Sequence, residues 1–211
     1  MSEWTKLYDA VLNGDADTAR SVTDEALAAG TDPQTLVNDY MIPAMDEVGR
    51  RFEANDFFVP ELLIAARAMK GALGKIRPLL TASGVKPKGR VVLGTVKGDL
   101  HDIGKNLVAA MLEGGGFEVI DLGVDVSAEK FIEAIRNESA DIVAMSALLT
   151  TTMPSMKNTI EALNEAGVRG NVKIMIGGAP ITREYAEEIG ADSYGDSAAT
   201  AVGIARKLVA S

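Results

Sequence analysis

His101 is the only histidine in a chain of 211 residues, and it stands among carboxylates in the run Gly98-Asp99-Leu100-His101-Asp102-Ile103-Gly104. One imidazole restricts the chemistry. A structural zinc site takes about four protein ligands. The absence of cysteine removes thiolate ligands, cysteine nucleophiles and disulfides. A three-ligand catalytic metal site would have to crowd Asp99, His101 and Asp102 onto one tight loop. Asp99 can instead orient His101 as a general base, with Ser146 or a neighbouring threonine as nucleophile. A further arrangement is a metal that brings most of its ligands in a macrocycle and leaves axial positions to the protein. A single histidine then suffices, and Asp99 tunes it from behind. The competing reading is a histidine that caps a turn or fills a surface slot.

Two other stretches carry small and polar residues between apolar segments. Ser146-Ala147-Leu148-Leu149-Thr150-Thr151-Thr152 offers hydroxyls to line a cleft, although Thr151 or Thr152 serves equally well as a helix cap. Gly177-Gly178-Ala179-Pro180 lets a ligand approach the backbone, or simply makes a tight turn. There is no GxGxxG fingerprint, so a dinucleotide reading has little support.

These stretches sit where a repeating pattern puts them. Apolar runs rich in β-branched residues occupy 90–96, 117–122, 141–146 and 172–176, with a weaker one at 191–194. Helical segments fall between and after them, at 103–113, 128–136, 153–166, 182–189 and 198–209. Such alternation predicts a parallel sheet covered on both faces, here a flavodoxin-like, doubly wound domain of five strands. Ligands of such folds bind beyond the carboxyl ends of the strands. The His101 loop, the Ser146 loop and the glycine pair all lie at that edge.

The first 80 or so residues are helical instead. Leu62, Ala66, Met69, Leu73, Ile76 and Leu80 form one stripe, and Val37, Met41, Ala44, Val48 and Phe52 another. The second stripe follows Asp32-Pro33, a cap residue and a first-turn proline. Pro43 lies inside it and predicts a kink or a helix start. Two more helices fit 2–13 and 15–29, giving an N-terminal four-helix bundle with short connections. Residues 83–89, Ser-Gly-Val-Lys-Pro-Lys-Gly, have linker composition. The expected organisation is a helical cap over 1–82, a linker over 83–89 and the α/β domain over 90–211.

The net charge of −9 and a pI near 4.7 argue against nucleic acid and anionic lipid as partners. The N-terminus lacks a basic segment followed by an apolar one, and no apolar run approaches the roughly 20 residues of a membrane span. The expected setting is cytoplasmic.

Read together, Asp99, His101 and Gly104, then Ser146-Ala147-Leu148, then Gly177-Gly178 resemble the cobalamin-binding signature DxHxxG, SxL, GG. The intervals, 41 residues between Gly104 and Ser146 and 28 between Leu148 and Gly177, are similar to the family's. The stretch Met45-Asp46-Glu47-Val48-Gly49-Arg50-Arg51-Phe52, followed by Phe58-Val59-Pro60-Glu61, resembles the cap helices of methionine synthase's cobalamin module. It is also similar to the stand-alone corrinoid proteins of methanol, methylamine and methoxyaromatic methyltransferase systems. The resemblance covers nearly the whole chain.

It implies a corrinoid methyl carrier that accepts a methyl group on cobalt(I) from a substrate-specific methyltransferase and passes it to an acceptor methyltransferase using a thiol or tetrahydrofolate. A reductive activase is a further implied partner. Without partners the chain is not expected to be active. His101 would be the lower cobalt ligand in place of the nucleotide base. Asp99 would accept its hydrogen bond, and Ser146 would complete the relay. Gly104, Gly177 and Gly178 would make room for the buried nucleotide tail, with Leu148 and Thr150 lining its channel. Asp102, Ile103 and Ala179 flank these positions. Phe52 and Val59 match cap positions that shield the methyl-bearing face. Tyr194, Asp196 and Ala198 match the family's last loop. The alternatives are a small mutase subunit, which lacks the helical cap, and a cobalamin-dependent sensor, which carries an output domain.

Overall fold

A computed structural model describes residues 4–210. The residues Ser2 and Glu3 of the first expected helix lie outside that range. The chain divides into two compact units, Met1–Pro87 together with Glu113–Gly116, and Lys88–Leu112 together with Phe117–Ser211.

The first unit is a helical bundle of α1 (Thr5–Leu12), α2 (Ala16–Ala28), α3 (Pro33–Leu36), α4 (Ile42–Glu53) and α5 (Val59–Ala82). Asp15 and Asp32 cap α2 and α3 through their side chains, each satisfying a backbone N–H that a helix start leaves without a partner. Between α3 and α4 the helix widens into one π turn, Val37–Met41. Pro43 has no N–H to give the carbonyl of Asp39 four residues back, and its ring crowds that carbonyl, so the helix opens immediately before it. The α3–α4 stretch is therefore one helix interrupted by a π turn, and the bundle has four arms. Both stripes read from the sequence face inward. Met41, Ala44 and Val48 are fully buried on one, and Leu62, Met69 and Ile76 on the other.

The second unit alternates β1 (Arg90–Thr95), α6 (Ile103–Gly114), β2 (Glu118–Asp121), α7 (Ala128–Glu138), β3 (Ile142–Ser146), α8 (Met153–Glu165), β4 (Lys173–Gly177), α9 (Arg183–Ile189), β5 (Ser193–Gly195) and α10 (Ala198–Ala210). All pairings are parallel and the strand order is β2-β1-β3-β4-β5. This is the doubly wound, flavodoxin-like sheet that strand–helix alternation predicts. The strands are apolar because helices cover both faces. Val92, Val143, Ile174 and Ile176 centre a core shared with Phe131, Ile160 and Leu163. After β1 the chain winds to one side to make β2, then crosses back to make β3 on the other side. The order reverses between β1 and β3, and a crevice opens there at the carboxyl ends of the strands. The loops leaving β1 and β3 flank that crevice.

Candidate functional site

Thr95 and Ser146 are neighbours at the ends of β1 and β3, so the two loops that follow start side by side. The first loop turns at Gly98, whose φ of +84° suits glycine. It then drives Asp99 inward and His101 outward. Asp99 is fully buried, whereas the His101 side chain is 50% exposed. A buried carboxylate needs hydrogen bonds to both oxygens, and Asp99 has four. One oxygen, Oδ1, accepts from the His101 backbone N–H at 3.0 Å and lies 2.8 Å from His101 Nδ1. The other, Oδ2, accepts from the Leu148 N–H at 2.8 Å and from the Thr152 hydroxyl at 2.7 Å.

Burial by itself raises the pKa of Asp99. The donors from Leu148, Thr152 and His101 outweigh it and hold the carboxyl well below the usual carboxylate range. Asp99 is therefore an anion and can only accept. The proton between it and His101 belongs on Nδ1, which leaves the lone pair on Nε2. Nε2 makes no hydrogen bond to any described residue. The buried charge behind the ring thus favours the tautomer whose lone pair is on Nε2.

The ring stands at the mouth of a cavity of about 690 Å³. Its walls are largely apolar, including Leu93, Leu107, Val108, Met145, Met175 and Ile176. Asp102, Ile103, Gly104, Ser146, Leu148, Gly177, Gly178, Ala179, Tyr194, Asp196 and Ala198 also line it, so residues far apart in the chain converge here. Leu100 and Ile103 flank His101 with 72% and 77% of their surface in solvent, and Leu148 and Leu149 are also exposed. Large apolar side chains displayed around one free imidazole nitrogen fit a flat, apolar, metal-bearing ligand that lies on them. Gly104 fits the same group. A Cβ at this position would meet nothing within 4 Å, so the protein itself does not require the glycine.

Two expectations are corrected. Ser146 lies in the cavity wall rather than in the relay, and the Thr152 hydroxyl takes the place expected of it. The reason is reach: Asp99 tucks under the β3–α8 loop, and Thr152 at the far end of that loop lies over it. Thr152 consequently makes no side-chain cap bond to α8. Thr150 is exposed on the loop and does not enter the cavity wall. The glycine pair has a reason beyond ligand room. A Cβ on Gly177 would press on the carbonyl of Gly195 at 2.8 Å, and one on Gly178, with φ +134°, would collide with the carbonyl of Ala147. The loops themselves need that space.

Other residues buttress the loop without any signal in the motif. The Asp125 carboxylate accepts from the Gly98 N–H at 2.7 Å, and its own N–H donates to the Asp99 carbonyl at 2.9 Å. Asp125 achieves both by adopting a left-handed φ of +52°. The Ser155 hydroxyl donates to the Lys97 carbonyl at 2.9 Å. Lys105, buried in the cavity wall, is held by Asp121 and Asn106. Among the described residues no three histidines or carboxylates converge on a common metal position, which removes the three-ligand reading of Asp99, His101 and Asp102.

In the helical unit, Glu47 binds Arg50 and Arg51, whose hydrogen bonds lower its pKa to about 2. Arg51 lies over the ring of Phe57 at 5.1 Å. The turn so ordered displays Phe58, Val59, Leu63 and Ile64 to solvent, while Phe52 is half-buried. No helix among the described residues is long and apolar enough to cross a membrane.

Residues 89–203 match the model of the B12 binding domain, and residues 4–77 match a second model of the same description. The chain belongs to the B12-binding family. Its cofactor is a corrinoid. Among curated members of the family, trimethylamine corrinoid protein 1 of Methanosarcina mazei is 45% identical over 93% of this chain and 92% of its own length. The dimethylamine corrinoid protein of Methanosarcina barkeri is 42% identical over 97% and 96%. The methanol:cobalamin methyltransferase complex of Methanosarcina barkeri contains a chain with a TM-score of 0.87 and 32% identity, covering 97% of this B12-binding chain and 78% of that one.

Proposed function

We propose that this chain is the corrinoid methyl carrier of a methylamine methyltransferase system, with His101 Nε2 as the protein's ligand to cobalt. The observation that carries the reading is the buried Asp99 carboxylate bonded to Nδ1 of a half-exposed His101 that lines the cavity. A corrinoid held here would supply a cobalt centre for methyl transfer. The chain's own residues supply a ligand whose strength follows a proton. With Nδ1–H shared with the Asp99 anion the imidazole is a strong donor, and a proton on Nε2 removes it as a ligand. Thr152 and the Leu148 N–H keep Asp99 ionised in either state. Leu148 and Tyr194 line the cavity proposed for the nucleotide tail, and Gly104 leaves room for it. From the helical unit, the resemblance puts forward Phe52 and Val59 as cofactor-contacting side chains.

Substrate choice is assigned to a separate methyltransferase, in keeping with the names of the trimethylamine and dimethylamine corrinoid relatives. An acceptor methyltransferase and a reductive activase complete the proposed set of partners. The match of residues 4–77 to a B12 binding domain model supports a carrier over a mutase subunit, which lacks a helical domain.

The test is to incubate the apoprotein with hydroxocobalamin, desalt it, and record visible spectra of wild type and His101→Ala. Wild type is expected to retain one corrinoid per chain with imidazole ligation, which the variant loses. A wild type that retains no corrinoid overturns the proposal. A variant whose spectrum matches wild type overturns the assignment of His101.

A further inference from the structure

We propose that Thr95 is a positioning residue that sets the His101 backbone, and with it the ring, for ligation; this rests on the reading of His101 as the cobalt ligand. Thr95 is the last residue of β1 and is fully buried. Both main-chain polar groups of Thr95 are tied to the segment that follows β2. The N–H donates to the Gly123 carbonyl at 3.0 Å, and its carbonyl accepts from the Val126 N–H at 2.9 Å. Its hydroxyl donates at 2.8 Å to the carbonyl of His101, six residues on. A hydroxyl has one proton, and here it is spent on the ligand residue itself.

The consequence is geometric. The N–H of His101 is held by Asp99 and its carbonyl by Thr95, so the residue is gripped at both ends. One grip comes from within the same loop, and only the other comes from the rigid sheet. Ring direction follows backbone direction at Cα, so a carbonyl free to rotate lets Nε2 sweep across the cavity mouth. Ligating groups hold their geometry when they are supported from rigid elements, and a loosely supported site loses function before it loses fold. Valine has the shape of threonine without the donor, so Thr95→Val isolates the bond.

The experiment begins with apoprotein, where the single histidine gives one unambiguous set of imidazole signals. Amide hydrogen exchange at His101, imidazole ¹⁵N shifts and thermal unfolding are measured for wild type, Thr95→Val and Thr95→Ser. Thr95→Val is expected to lose about tenfold in His101 amide protection, and Thr95→Ser to stay within about twofold of wild type. After loading with hydroxocobalamin, the fraction lacking imidazole ligation is expected to rise about tenfold in Thr95→Val and to be restored in Thr95→Ser. Should Thr95→Val not fold, Thr95→Cys, a weaker donor of similar size, is expected to lose part of the protection. Wild-type protection at His101 in a folded Thr95→Val or Thr95→Cys overturns the inference, whatever the cobalt spectra show. A wild-type holoprotein without imidazole ligation overturns the proposed function instead, and the apoprotein result still decides the role of Thr95 in holding the loop.

Discussion

Replacing Asp99 with asparagine keeps the shape of the side chain and turns one of its two oxygens into a donor. Both oxygens now face two donors each, so the new amide must point its NH₂ at one of the two pairs. Facing His101, it would oppose the backbone N–H and force the ring proton onto Nε2, abolishing the free lone pair. Facing the other pair, it leaves the Leu148 N–H without an acceptor, while Thr152 turns its hydroxyl to the Leu149 carbonyl 2.9 Å away. The second arrangement costs less and is the one expected. Hydrogen bonds to a charged group contribute about 1.5 to 3 kcal/mol each, and Thr152 recovers part of one. The expected loss is about 3 kcal/mol, or about 6 to 12 °C in Tm for a protein of this size. Chemical and thermal unfolding of the apoprotein measure it.

The loss carries a pH signature. A carboxyl whose pKa is lowered by folding stabilises the folded state fully above the unfolded value, near 3.8. That stabilisation fades as pH falls toward the lower folded value, by about 1.4 kcal/mol per pH unit. The gap between wild type and Asp99→Asn is therefore constant above about pH 4 and narrows below it. Equal stability of the two proteins at pH 7, within about 0.5 kcal/mol, would refute the reasoning that a buried anion organises the site.

The relay assignment predicts unequal effects from two hydroxyls in one loop. Thr152→Val is expected to destabilise the apoprotein by about 1.5 kcal/mol, whereas Ser146→Ala changes unfolding by less than about 0.5 kcal/mol; the reverse order would return Ser146 to the relay. The glycines separate in the same way. Gly178→Ala is expected to cost about 3 kcal/mol or fail to fold, because of its φ and the Ala147 carbonyl. Gly104→Ala is expected to leave apoprotein stability unchanged and to weaken corrinoid retention, read by cobalt content after desalting.

Much of this architecture was legible in the sequence because local forces set it. Runs of β-branched residues made strands at nearly the expected limits, with β1 at 90–95 against an expected 90–96 and β3 at 142–146 against 141–146. Those limits hold because the strands are buried on both faces and their apolar runs end where the cover ends. Asp32-Pro33 opened a helix as its capping chemistry dictates. The pairing of Asp99 with His101, two residues apart, is a contact within one turn and follows from the loop alone.

What the sequence left open was every choice between residues distant along the chain. Thr152 meets Asp99 across 53 positions, and Leu148 does so across 49. Three threonines and a serine in one loop offer the same hydroxyl, and only the path of the loop over the buried carboxylate selects among them. The glycine pair read as ligand room, but its tightest neighbours proved to be carbonyls of Ala147 and Gly195 brought in by β3 and β5. Thr95 looked like any β-branched strand residue until the loop folded back onto its hydroxyl. Composition and periodicity thus determined the elements and the histidine that stands at their edge. Tertiary structure decided which groups stand behind that histidine, because a hydrogen bond depends on position in space, and neighbours in space are set only when the sheet order brings loops together.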